Sequence, residues 1–382
     1  MFQYFRDIAK RHKSKLLVTS GLALLSYLAT YYLSKKVTEF QDRLKEENAT
    51  RELIKKRFSQ TQKDCYMTFL SFLPMLVDPI YNDINVEEIT RELRQAKAKS
   101  ETTIQTDDLS GKTKAELWEE LKIKSLTRFF TLVYGEALMI VLLHLQLNII
   151  SRKSYLKTAL KLAILQEGIE GIDFDVEEDF LEKDLPEQAF LSFSWWLLNR
   201  GWIDLKNLVG DSVVDVFGDI DLREELNMDE FSGLCANVQK SIDGKLMEGG
   251  IVGLLLPNKE MESEMLEKTN SPEFLETLQS NENSKEATEK LVNELKSYLL
   301  NSCGNVVSEI VMTGVSAVLY GTSEALEQRK SSPWKTALLL ATMSSQQEKL
   351  ARATVENDVL SEMNTITALD DLSASVYSNF TV

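Results

Sequence analysis

The chain has 382 residues, enough for one or two domains with a sizeable core, and a formal charge of −16 from 43 Lys and Arg against 59 Asp and Glu. Seven of the basic residues and one acidic residue fall within positions 1–36, so a basic head precedes an acidic body, and wholesale nucleic-acid binding, which needs a basic face, is excluded. Six prolines, sixteen glycines and abundant Leu, Glu, Lys and Ala point to an all-α fold.

Residues 1–15 read as a short basic tail ending in Lys10-Arg11-His12-Lys13-Ser14-Lys15. Leu16 to Ser34 carries no charge, and Lys35-Lys36 closes it. As a helix this stretch reaches about 28 Å, close to the ~30 Å hydrocarbon core of a bilayer. Leu16, Leu17, Leu22, Leu24, Leu25, Leu28 and Leu33 supply its apolar character, and Tyr27, Tyr31 and Tyr32 gather where headgroups would lie. A retained transmembrane helix is the leading reading. A cleaved signal fits less well, because Tyr31-Tyr32-Leu33-Ser34-Lys35-Lys36 is no small-residue cleavage site. A mitochondrial presequence or a buried helix fits less well still. Basic residues within about twenty positions are equal in number on the two flanks, so the positive-inside rule leaves orientation open. Cys65, Cys235 and Cys303 are few and scattered, which suits a reducing compartment.

Residues 35–67 predict a long polar helix leaving the membrane, the start of one elongated cytosolic helical bundle over 35–382. Pro74 and Pro79 predict a turn or kinked connection between Tyr66 and Tyr81. Asn85 caps a short helix to about Arg94, and the polar stretch 96–112 predicts a mobile loop. A helical block runs from Thr113 or Lys114 to about Gln166. Its uncharged middle, Ala137 to Ser151, is too short and too polar for a second span and reads as a core helix. An acidic loop over 168–184 precedes an aromatic helix from Glu187 to Asn199. Ser271-Pro272 and Ser332-Pro333 open helices near Glu273–Gln279 and Pro333–Ala353, with a polar connector from Ser280 to Ala287. One or two more helices lie between Lys290 and Tyr320, and no alternating strand is evident.

Chemistry is scarce. His144, amid leucines, reads as a hydrogen-bonded core residue rather than a base or ligand. No cysteine pair has zinc spacing, and no metal or cofactor is implied. Gly249-Gly250 lacks the Lys-Ser/Thr of a phosphate loop. Asp215, Asp219, Asp221 and Glu224 fail the EF-hand pattern, having Glu224 where glycine is required. The cluster of Trp195, Trp196 and Trp202 with Phe190 and Phe193 is core or an aromatic docking face. No catalytic constellation is present, so the chain is not read as an enzyme.

The most telling segment is Leu117-Trp118-Glu119-Glu120-Leu121-Lys122. Leu117, Trp118 and Leu121 share one flank of a helix, bordered by Lys114 and Lys122. From spacing alone Trp118 is either a helix-end core residue or an exposed anchor for a partner helix. Together with Ser125-Leu126-Thr127-Arg128 and Leu145-Gln146-Leu147-Asn148-Ile149-Ile150, the segment resembles the peroxin-3 family. Arg11-His12-Lys13 before a single span and Ser71-Phe72-Leu73-Pro74 fit the same family, and the resemblance covers about residues 1–160. It implies a single-pass peroxisomal membrane protein with a luminal N-terminus, a cytosolic all-α domain, and transit through the endoplasmic reticulum as an open route.

The implied role is docking of peroxin-19, the soluble receptor that delivers membrane proteins, by laying an amphipathic helix in an apolar groove. The family's key tryptophan matches Trp118, with Leu121, Lys122, Lys114 and Leu117 as neighbours, Leu93 as a further apolar contact and Asn148, in the motif on the following helix, as a support for the groove. Membrane lipids are the other implied partner. The runner-up readings are a tether that recruits organelle-inheritance or pexophagy adaptors and a lipid-binding membrane protein.

Overall fold

The computed structural model describes residues 48–102, 113–166, 185–328 and 333–379. The expected tail, membrane helix and residues 35–47, positions 103–112 of the expected loop, the acidic loop 168–184 and Ser332 lie outside the described residues. Nearly all described residues are helical, and the fold is all-α as the composition predicts.

Helix α1, Asn48–Asp83, runs without interruption through Pro74 and Pro79, against the predicted connection. Each proline costs a helix interior roughly 3 kcal/mol. Phe69, Leu70, Leu73, Leu76, Val77 and Ile80 nevertheless form a buried stripe on this helix. At about 1.5–3 kcal/mol for each side chain buried, the stripe outweighs the two prolines.

Asn85 starts α2, Val86–Thr102, by accepting the Glu88 N–H at 3.0 Å. The helix outruns Arg94 and takes in the first seven residues of the predicted loop, where Ala96, Lys97, Ala98 and Lys99 are strong helix formers. Helix α3, Lys114–Gln166, opens on a reciprocal cap: Thr113 Oγ1 accepts the Glu116 N–H at 3.3 Å, and the Glu116 carboxylate accepts the Thr113 N–H at 2.7 Å.

Every residue from Ser125 to Gln146 is buried, so α3 is the central helix. It is long and apolar enough to cross a membrane, yet its apolar window is wholly buried inside the fold. Two of the polar side chains on it are held by partners on other helices. His144 lies 2.9 Å from Ser373 Oγ and 3.0 Å from Asn364 Oδ1, and burial lowers its pKa to about 4. Gln146 donates to the Phe190 carbonyl at 2.8 Å.

The aromatic segment is broken rather than one helix over Glu187–Asn199. Helix α4, Leu185–Ser192, gives way to a turn at Ser194–Trp196, a wide π-type turn at Leu197–Gly201, and α5, Trp202–Phe217. Gly201 explains the turn: a Cβ there would lie 1.9 Å from the Leu254 carbonyl oxygen, so only glycine lets the two backbones meet. Phe190, Phe193 and Trp202 are buried, while Trp195 and Trp196 are half-buried and Trp196 donates to the Gly253 carbonyl at 3.1 Å. The aromatic cluster is therefore mostly core.

A strand the sequence does not announce follows. β1, Glu225–Leu226, pairs antiparallel with β2, Trp334–Lys335. Between them lie α6, Met228–Lys245; a kinked turn with Gly249 at φ 99°; α7, Ile251–Leu255; α8, Lys259–Thr269; and α9, Pro272–Ser280, capped by Ser271 as predicted. The predicted connector over Ser280–Ala287 shrinks to Asn281, which ends α9 and caps α10, Glu282–Asn301. Helix α11 covers Gly304–Glu327.

Helix α12, Thr336–Gln347, begins three residues later than the Ser332-Pro333 signal predicts and ends before Ala353. Its first amides are taken by the preceding strand region: Thr336 N–H donates to Glu224 O at 2.9 Å and Ala337 N–H to Leu222 O at 3.1 Å. Helices α13, Asp358–Asn364, and α14, Thr367–Ser378, complete the described chain.

These residues fall into two compact units. The first contains 48–60, 150–166 and 377–379, where Phe58 meets Tyr377 edge-on at 5.4 Å and Arg57 lies 5.8 Å over the Tyr155 ring. The second contains Thr61–Ile149 and 185–376 and holds the core around α3. Its three thiols are free and buried, and burial pushes each up to about 12, which leaves them poor nucleophiles.

Candidate functional site

The second unit carries an open groove of about 640 Å³ between α2, the start of α3 and α12. Val86, Trp118, Leu121, Leu222, Ala337, Leu340 and Ala341 supply its apolar lining. Glu87, Thr90, Arg91, Arg94, Arg128, Ser344, Ser345 and Glu348 supply its polar lining.

Trp118 stands at the groove with 37% of its surface exposed, unusual for the largest apolar side chain. It sits only one turn into α3, where the cap at Thr113 fixes the helix start. Its neighbour Leu117 joins Ile89 and Leu93 in a small buried cluster on which Leu121 packs. Leu121 lines the groove, whereas Leu117 and Leu93 do not; they join α2 to α3 behind it.

The lysines divide in the same way. Lys122 lines the groove but is only 1% exposed, and its ammonium donates to the carbonyls of Ile220 at 2.6 Å and Gly218 at 3.2 Å while pairing with Glu119 at 2.6 Å. Its charge is spent on holding the 218–222 turn, which presents Leu222 to the groove. Lys114 is exposed but does not line the groove. Asn148 is fully buried, donating to the His144 carbonyl at 2.7 Å and accepting from Gln62 at 2.9 Å. Thirty residues beyond Trp118 on one helix put it roughly 45 Å away, so it braces the core and not the groove.

The cations facing the groove are arginines that spacing around Trp118 did not single out. Glu87, Thr90, Arg91 and Arg94 recur at helical intervals on one face of α2, a pattern the sequence does contain. Arg128 is 3% exposed at the groove floor, lies 4.6 Å over the Tyr81 ring, and donates from Nη1 to both Glu87 carboxylate oxygens at 2.8 Å. The α12 wall lies more than two hundred residues from Trp118, and no local signal couples the two.

No group of three or more His, Cys, Asp or Glu residues suited to a metal occurs among the described residues. The arrangement offers apolar surface, a tryptophan edge and guanidinium groups, which suit recognition of an amphipathic helix.

Comparison with known proteins agrees over the whole chain. The family model "Peroxin-3" matches residues 7–109 and 101–379. "Peroxisomal membrane protein PEX3" of Komagataella phaffii is 38% identical over all of both chains. "Peroxisomal biogenesis factor 3" of Saccharomyces cerevisiae is 29% identical over 100% of this chain and 97% of its own. The protein of that name from Bos taurus is 29% identical over 60% of this chain and 54% of its own. The chain belongs to the peroxin-3 family, whose members are peroxisomal membrane proteins with a role in building that membrane.

Proposed function

We propose that this chain docks peroxin-19, carrying newly made membrane proteins, by seating an amphipathic helix of that receptor in the groove headed by Trp118. The observation that carries the reading is a tryptophan left 37% exposed at an apolar groove, while the four other tryptophans are buried or half-buried. Trp118 and Leu121 supply the contact from α3, with Leu222, Leu340 and Ala341 opposite. Leu93 and Leu117 hold the wall behind them, and Lys122 holds the turn. Water exclusion around Trp118 turns a modest area into a hot spot.

The role is one of binding and delivery, and no step in it needs a catalytic group. The Leu16–Ser34 helix anchors the chain in the peroxisomal membrane, with residues 1–15 luminal and the helical region in the cytosol. Titration of detergent-solubilised full-length chain with purified peroxin-19 tests the docking. A saturable complex lost in Trp118→Ala is expected, and absence of binding by the wild-type chain contradicts the proposal. The topology is tested by protease treatment of intact organelles bearing a C-terminal tag. Loss of the tag supports a cytosolic domain, and protection overturns it.

A further inference from the structure

We propose that the groove selects an acidic helix, and that Glu87 already occupies the anion position which such a helix takes at Arg128. The inference rests on the docking reading above and adds the charge of the partner and an internal competitor for it.

The chain carries a charge of −16, yet four cationic and two anionic side chains line this groove. Lys122 is neutralised by Glu119 and two carbonyls. Arg91 and Arg94 are exposed and have no ion pair or hydrogen bond with any described residue, so their charge faces whatever enters. An acidic surface that concentrates unpaired guanidinium groups at one apolar groove attracts acidic ligands there and repels them elsewhere.

Arg128 extends the pattern inward. Only Nη1 meets Glu87, while the buried Nε donor has no partner. The guanidinium is nevertheless held in place, because the Tyr81 ring lies beneath it and its side chain is almost wholly enclosed. Glu87 is the opposite: its side chain is 60% exposed, on the first turn of α2. An enclosed, incompletely satisfied cation facing a solvent-exposed carboxylate is an anion site closed by a replaceable group.

Two roles for the pair predict opposite signs. If Glu87 merely clamps α2 to α3, removing its charge loosens the groove and weakens every ligand. If Glu87 stands in for a ligand carboxylate, its removal leaves Arg128 unpaired, lowers the stability of the free protein, and tightens acidic ligands that restore the pairing.

The test uses full-length chain in detergent micelles and fluorescent helical peptides of about eighteen residues, five turns, with one shared apolar stripe flanked by Glu, Gln or Lys. The Glu-flanked peptide is expected to bind at least about tenfold more tightly than the Lys-flanked one at about 50 mM salt, with the gap closing towards about 0.5 M. Arg91→Glu with Arg94→Glu should erase or invert that order. Glu87→Gln should lower the thermal midpoint of the free protein and tighten the Glu-flanked peptide at least about threefold.

Equal affinity for the three peptides, or weaker binding of the Glu-flanked peptide by Glu87→Gln, overturns the inference. Peroxin-19 binding that is sensitive to Trp118→Ala but indifferent to the charge changes leaves the docking reading standing and removes this one. Charge-selective peptide binding without any peroxin-19 binding does the reverse, sparing the anion site and removing the receptor.

Discussion

Truncation of Trp118 to Ala should separate docking from folding. The indole exposes 37% of its surface, and a full Trp side chain amounts to about 250 Å², so a docked helix would cover about 90 Å² more of it. At about 25 cal/mol per Å² this contributes about 2 kcal/mol, or about thirtyfold in Kd, and the partner surface covered in return raises the loss towards about 4 kcal/mol. Leu117, Leu93 and Ile89 pack on one another and on Leu121 in a cluster that does not include Trp118, so the α2–α3 junction should persist. Isothermal titration of wild-type and variant chains with peroxin-19, alongside circular dichroism and thermal midpoints, reads both quantities. An unchanged Kd in a folded variant would remove Trp118 from the binding account. A collapsed midpoint would show that it is a core residue instead.

Three further expectations concern the framework. Lys122→Met should lower the thermal midpoint, because it leaves the Gly218 and Ile220 carbonyls without their donor at roughly 1–3 kcal/mol, whereas Lys114→Ala should leave stability unchanged; equal midpoints would return Lys122 to the surface. Gly201→Ala should cost at least about 3 kcal/mol in urea denaturation, since its Cβ has no room beside Leu254, while Gly233→Ala, with open space around it inside α6, should gain about 0.5–1 kcal/mol. His144 has its pKa lowered to about 4 by burial, below the unfolded value near 6.5, so the unfolded chain binds the extra proton first. Stability should therefore be full above about pH 6.5 and fall by up to about 3 kcal/mol towards pH 4, and His144→Gln should flatten that slope; an identical slope would place the proton elsewhere.

Local signals carried much of the helix layout. Asn85, Thr113 and Ser271 each accept at the helix start their residue types imply, because a cap is satisfied within three residues of itself. The apolar middle of α3 was legible as core because Ala137 to Ser151 is too short and too polar for a bilayer span. Where burial decided, the sequence misled. Pro74 and Pro79 stay helical on account of a stripe whose partners are distant in sequence. The polar run at 280–287 is helical because one asparagine suffices as a break.

The groove was half legible. Trp118 and Leu121 stood out by composition, but their facing wall, Ala337 to Glu348, is assembled by contacts over two hundred residues long. Lys122 illustrates the limit: its position beside Trp118 suggested a partner contact, and only the 218–222 turn reveals that its three hydrogens are already used. Helical spacing of Glu87, Arg91 and Arg94 was present in the sequence, but nothing local shows which face of α2 meets the groove.

The central claim is that the groove faces the cytosol and holds peroxin-19. A photo-crosslinking amino acid placed at Ala341, exposed on the groove wall, tests both parts in intact peroxisomes. Irradiation should yield an adduct with peroxin-19 that Trp118→Ala abolishes, while the same probe at Tyr320, exposed on α11 and no part of the groove, should yield none. Equal adducts from both positions, or none from Ala341 while peroxin-19 binds the protein, would contradict the account.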